Sequence, residues 1–177
     1  MSRAVTIGVS LAVPDPYAAQ IQDARAGYGD PLAWAIPTHV TLLPPTEVPA
    51  DVLDAVERQL AAAAARHRPF AVQLHGSGSF RPVSPVVYVR ITAGWQQCLE
   101  VEASVRSGLL ARELAFPYHP HVTVAHGVQE SALDRASAEF RDYRAEFTAS
   151  GFSLYRFGED EVWRPMREFR FGRHTVG

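Results

Sequence analysis

The first regular pattern along the chain is an alternation. Val5, Ile7, Val9 and Leu11 are separated by Thr6, Gly8 and Ser10, the period of a strand with one covered face. Pro14 and Pro16 stop it, and Asp15 with Pro16 offers a cap and first-turn pair for a helix over 15–27 that ends near Gly27 or Gly29. A proline-bounded connection over 31–37 leads into a short strand, His39-Val40-Thr41-Leu42-Leu43, which Pro44 and Pro45 are expected to close. Leu53, Val56, Leu60 and Ala64 then recur at helical spacing within 50–66, the strongest helix signal in the sequence. Phe70, Val72 and Leu74 return to alternation before a Gly76-Ser77-Gly78 loop and Phe80.

From Ser84-Pro85 the same order begins again. Val87, Val89 and Ile91 alternate with Val86, Tyr88 and Arg90 as a strand, 95–111 reads as a helix, and 121–125 as a second short strand. A helix over 129–145, a segment over 147–157 and a last strand near 162–171 complete the chain, with a turn at Gly158-Glu159-Asp160. Strand, helix, strand, helix, strand thus occurs twice. Each middle strand opens on the same word, His-Val-Thr and an aliphatic residue, at positions 39 and 121, which are 82 apart in a chain of 177. This phasing predicts a single domain over 1–177 built from one duplicated unit, approximately 1–82 and 83–177, since 81–85 is too short for a linker.

Residues two apart on a strand share a face. His39 therefore points with Thr41, and His121 with Thr123, while Val40, Leu42, Val122 and Val124 point the other way. Helices covering the aliphatic sides would leave both polar pairs uncovered, and a pseudo-twofold axis would bring two imidazoles and two hydroxyls to one cleft. That set suits in-line cleavage of a phosphodiester. One group must take a proton from the nucleophile while another, on the opposite side, gives one to the leaving oxygen. Imidazole, with an ordinary pKa of about 6.5, serves in either role near neutral pH. The threonine hydroxyls can donate to the non-bridging phosphate oxygens, where charge must be held through the transition state. The scheme needs no metal and no cofactor.

The paired His-x-Thr words, one in each half of a chain of this size, resemble those of the 2H phosphoesterase superfamily, in particular its 2′-5′ RNA ligase or RNA 2′,3′-cyclic phosphodiesterase branch. The resemblance extends in element order over nearly the whole chain. It implies an α+β fold with two pseudo-symmetric lobes, each an antiparallel sheet with helices on its outer face, around a central cleft. It also implies metal-independent opening of 2′,3′-cyclic phosphates and, in some members, reversible 2′-5′ ligation of RNA ends. Residue by residue, His39 and His121 carry over as the catalytic pair, and Thr41 and Thr123 as substrate contacts. Phe80 could match an aromatic that such proteins often place near the end of the first unit, where it would stack on a base. The acid and base roles of the two histidines are left open.

Alternation puts Ser10, Tyr88, Arg90 and Tyr155 on the same uncovered faces, which makes all four candidate substrate contacts, Tyr88 and Tyr155 first among them. His119 shares the face of His121 but follows the irregularity of Pro120, so a structural or rim role is expected. His126 falls on the Val122 face or at the strand end and is not expected to be catalytic, and His67, His75 and His174 default to the surface. Arg156 falls on the core-facing phase, and Trp34, Trp95 and Trp163 are expected to be packing residues. Two other readings compete: a metal hydrolase in which His119, His121 and His126 gather an ion with His39, and a module that binds phosphorylated nucleotide or RNA ends without turnover. The first leaves both threonines without a task.

Composition narrows the partners. A formal charge of −2 argues against a general basic field for long nucleic acid, so the expected partner is an RNA end or a small cyclic-phosphate nucleotide. All 17 basic residues are arginine. The one cysteine, Cys98, excludes an internal disulfide and a cysteine-based zinc site, fits a cytoplasmic location, and is expected to be a small buried hydrophobe on a helix. No stretch reaches the length of a membrane span, and the amino end has only a short apolar run, so neither export nor membrane insertion is expected. A monomer is expected.

Overall fold

The computed structural model describes residues 3–172 of the chain. His174 and the first two residues lie outside the described residues. In chain order the elements are β1 (Ala4–Ala12), α1 (Tyr17–Gly27), β2 (His39–Pro49), α2 (Leu53–Ala65), β3 (Phe70–Ser79), β4 (Val86–Ala93), α3 (Trp95–Val105), β5 (His121–His126), α4 (Glu130–Glu139), β6 (Arg144–Ala149), β7 (Gly151–Phe157) and β8 (Trp163–Arg170). The architecture is α+β, with one antiparallel sheet in the order β6-β3-β4-β5-β2-β1-β7-β8.

The two His-Val-Thr strands are neighbours at the middle of this sheet. β2 meets β5 through one register pair, Val40 with Val122, so the sheet falls into two four-stranded halves joined along a narrow seam. The boundary between the sequence units lies between β3 and β4, which pair with each other inside one of these halves. Strands from both parts of the chain therefore build both half-sheets. Helix cover is exchanged as well: α1 packs on β5, and α3 packs on β2.

Four element boundaries differ from the sequence expectation, each for a local reason. Pro44 and Pro45 do not end β2, which runs on to Pro49. Between the pairs Val9 with Leu43 and Ile7 with Thr46, the two prolines stand opposite Gly8 alone; the ladder bulges there and needs no N–H from either ring. Gly76 and Gly78 likewise lie within β3 rather than in a loop. Gly76 has φ +76 at a register shift between Leu74 and Ser77, the left-handed conformation a bulge requires and glycine adopts at no steric cost. The helix expected over 95–111 ends at Val105, and Gly108–Leu110 forms a separate 3-10 turn. The helix expected over 129–145 ends at Glu139; Arg144, Glu146 and Thr148 alternate outward against buried Ala145, Phe147 and Ala149, so 144–149 is β6.

The core lies under the aliphatic faces of the central strands. Val40, Leu42, Val122 and Val124 are all 2 % exposed or less, and they share one hydrophobic cluster with Val56 and Leu60 of α2 and Cys98 and Val101 of α3. Cys98 is buried, and burial pushes its thiol up to about 12, so it is an inert packing residue. Truncating the fully buried Leu60 would cost about 2–5 kcal/mol, which is the scale of α2's anchorage to this core. No helix among the described residues is long and apolar enough to cross a membrane.

Candidate active site

Stepping one residue either way from Val40 and Val122 sets His39 opposite Thr123 and Thr41 opposite His121. In this register the two histidines lie diagonally across the seam. All four side chains are part-exposed, whereas the valines between them are buried.

Both rings are held in the same manner. His39 Nδ1 lies 2.8 Å from the Pro37 carbonyl, and His121 Nδ1 lies 2.6 Å from the His119 carbonyl, in each case the carbonyl two residues earlier. A carbonyl only accepts, so Nδ1 carries the proton and Nε2 presents its lone pair. At His39 that lone pair is 3.1 Å from Thr41 Oγ1, which can donate to it. The irregular entries to the two strands, Pro37-Thr38 and His119-Pro120, supply these carbonyls.

Desolvation lowers both imidazole pKa values. His39 is pushed down to about 4, by burial first and then by the charges of Arg25 and His121, against the opposing pull of the Pro37 carbonyl. His121 is lowered by burial and by His119, again against its carbonyl partner. Both rings are therefore neutral near pH 7 in the free protein.

A cleft of about 280 Å³ opens over this face, lined by His39, Thr41, Thr123, Ser10 and Tyr155, together with Gly8, Pro44 and Pro45 at the bulge. Its wall is apolar and comes from Leu32, Ile36, Leu43 and Trp163. The Trp163 amide donates to the Ala35 carbonyl at 2.8 Å and pins the 31–37 connection against the start of β8. Trp163 is thus a cleft residue rather than simple packing, and Trp34 is 62 % exposed, contrary to expectation. Trp95 does pack against the core. Arg156 is exposed, not core-facing. His126, exposed at the end of β5, lines the cleft edge, whereas His67 is half-buried and bonded to Ser104 at 2.8 Å.

On the other side of the seam Phe80 and Tyr88 form a ring cluster around His121. Phe80 lies 4.9 Å from the His121 ring and 4.5 Å from Tyr88, and Tyr88 is 5.3 Å from His121. Tyr88 is buried beside Thr123 in the β4–β5 pairing, and Phe80 is part-exposed. His119 is enclosed by Phe80, Tyr88 and Trp95. Among the described residues no group of three or more His, Cys, Asp or Glu side chains could hold a metal ion, so the four-histidine arrangement of the metal reading is not assembled.

Sequence reasoning missed Arg25. It lies four residues after Ile21 on the buried stripe of α1, pairs with Asp30 at 2.8 Å with both side chains almost fully buried, and lines the cleft. Asp30 also accepts from the Leu32 amide, so the pair shapes the connection that forms the apolar wall. A charged residue at an apolar helix position was the available signal.

Comparisons with known proteins bear on the family and on the fold. A protein from Bacillus cytotoxicus, named as a candidate phosphoesterase, is 28 % identical over 158 residues, covering 86 % of this chain and 91 % of that protein. The fold is similar to that of E. coli LigT complexed with 3′-AMP, with a TM-score of 0.66 at 18 % identity, over 97 % of this chain and 100 % of that one. It is also similar to TT0787 of Thermus thermophilus, with a TM-score of 0.69 at 21 % identity, over 96 % and 100 % of the two chains. The family model of the 2′-5′ RNA ligase superfamily matches residues 13–161, the span that contains both His-Val-Thr words, and the chain belongs to that superfamily.

Proposed function

We propose that the protein is a metal-independent phosphoesterase of the 2H type that opens 2′,3′-cyclic phosphates on RNA ends or nucleotides. The observation that carries this reading is the pair of imidazoles on adjacent strands across the seam, each held through Nδ1 so that Nε2 carries the lone pair, at His39 within 3.1 Å of the Thr41 hydroxyl. Nε2 of one histidine removes a proton from water as its oxygen attacks phosphorus. The other histidine, protonated, donates to the ribose oxygen as the P–O bond breaks, and a phosphomonoester with a free hydroxyl results. The deeper depression at His39 suits it to the base role and His121 to the acid role. Thr41 and Thr123 donate to the non-bridging oxygens, and the Arg25 guanidinium adds positive potential at the same cleft. Support also comes from the phosphoesterase name of the Bacillus relative and the nucleotide bound by E. coli LigT.

The test is turnover of a panel of 2′,3′-cyclic nucleotides, with product position read by phosphorus NMR. EDTA should leave the rate unchanged, and His39→Ala and His121→Ala should each lose about a hundred- to ten-thousandfold in kcat. Full turnover by either variant would overturn the assignment. The same assay run with 2′-5′-linked dinucleotides reads their cleavage to a 2′,3′-cyclic phosphate and a 5′-hydroxyl, and a cyclic nucleotide given with a 5′-hydroxyl acceptor reads ligation.

A further inference from the structure

We infer that Tyr118 is the positioning residue that holds the two half-sites in register. The inference rests on the reading of His39 and His121 as the acid–base pair. β2 and β5 share a single register pair, so the backbone ladder does little to fix the distance between the two words. One residue beyond that pair, the Thr41 carbonyl is taken by a side chain: the Tyr118 hydroxyl donates to it at 2.6 Å. Tyr118 precedes the second word by three positions yet bonds the backbone of the first, 77 residues away. The next residue, His119, supplies the carbonyl that orients His121. Two consecutive residues therefore hold both words, Tyr118 through Thr41 and His119 through His121.

Tyr118 does not line the cleft. It is part-buried against the core, and burial raises its phenol pKa, with Cys98 and Glu102 of α3 adding to the effect. The hydroxyl thus stays protonated, a donor only, reaching the seam from beside α3. A phenylalanine would fill the same space and leave the Thr41 carbonyl without this partner.

The experiment is Tyr118→Phe in the full chain, read in two ways. With a 2′,3′-cyclic nucleotide the expected result is a kcat about tenfold lower with KM changed by less than about twofold, the signature of lost alignment in the transition state. Independently of turnover, long-range proton–nitrogen NMR of the imidazoles should show one sharp Nδ1-protonated form for His39 and His121 in the native chain. In the variant both should broaden or split as the seam loosens. An unchanged kcat together with unchanged imidazole spectra overturns the proposal, as does a loss of rate that follows only the unfolded fraction. If the native chain turns over no cyclic nucleotide, the phosphoesterase reading fails, and the imidazole spectra alone decide the role of Tyr118.

Discussion

At the scale of single residues, the behaviour of the site is set by two histidines that are identical in attachment and unequal in environment. Each donates Nδ1–H to the carbonyl two residues earlier, but burial and the Arg25 charge take His39 to about 4 while His121 is lowered less. Catalysis by the pair requires one imidazole neutral and the other protonated. The rate should fall with acid as the lower pKa is passed, because the base is lost, and fall with alkali as the higher is passed, because the proton donor is lost. Since both values lie below the ordinary 6.5, kcat/KM should follow a bell with its maximum between about 4 and 6.5. A maximum at pH 8 in a kcat/KM profile would contradict the neutral, desolvated state of these rings.

At the scale of elements, the site depends on what stands behind it. Tyr88 is directly opposite Gly78 in the β3–β4 pairing, and a methyl group built on Gly78 would come within 2.6 Å of the Tyr88 ring. Gly78→Ala should therefore push Tyr88 toward Phe80 and His121 and lower kcat severalfold with the fold intact, measured by kinetics beside a circular dichroism melt. Wild-type kinetics in that variant would show that the ring cluster plays no part in placing His121. The sequence showed the two words, their faces and most elements, because period-two and helical spacing are local signals. It did not show where β2 and β3 end, since Pro44, Pro45 and Gly76 usually break strands and here form bulges whose partners, Gly8 and β4, are distant in the chain. Arg25 was hidden for the same reason: its value comes from Asp30 and from a cleft that exists only after folding.

At the scale of the whole molecule, the two sequence halves, 1–82 and 83–177, and the two halves of the folded sheet do not coincide. One half-sheet is β6-β3-β4-β5 and the other is β2-β1-β7-β8, so β3 leaves the first sequence unit to join the second, while β7 and β8 make the return crossing. A chain cut between 82 and 83 yields two fragments, neither of which owns a complete half-sheet or a complete set of helices to cover it. The fragments should be largely unstructured alone and regain strand signal and cyclic phosphate turnover on mixing, followed by circular dichroism and by the same assay. Cooperative melting of either piece alone would contradict that dependence. Neither sequence half can therefore present its histidine on a completed half-sheet: β2 needs β7 and β8, β5 needs β3, and the two-histidine arrangement belongs to the closed chain alone.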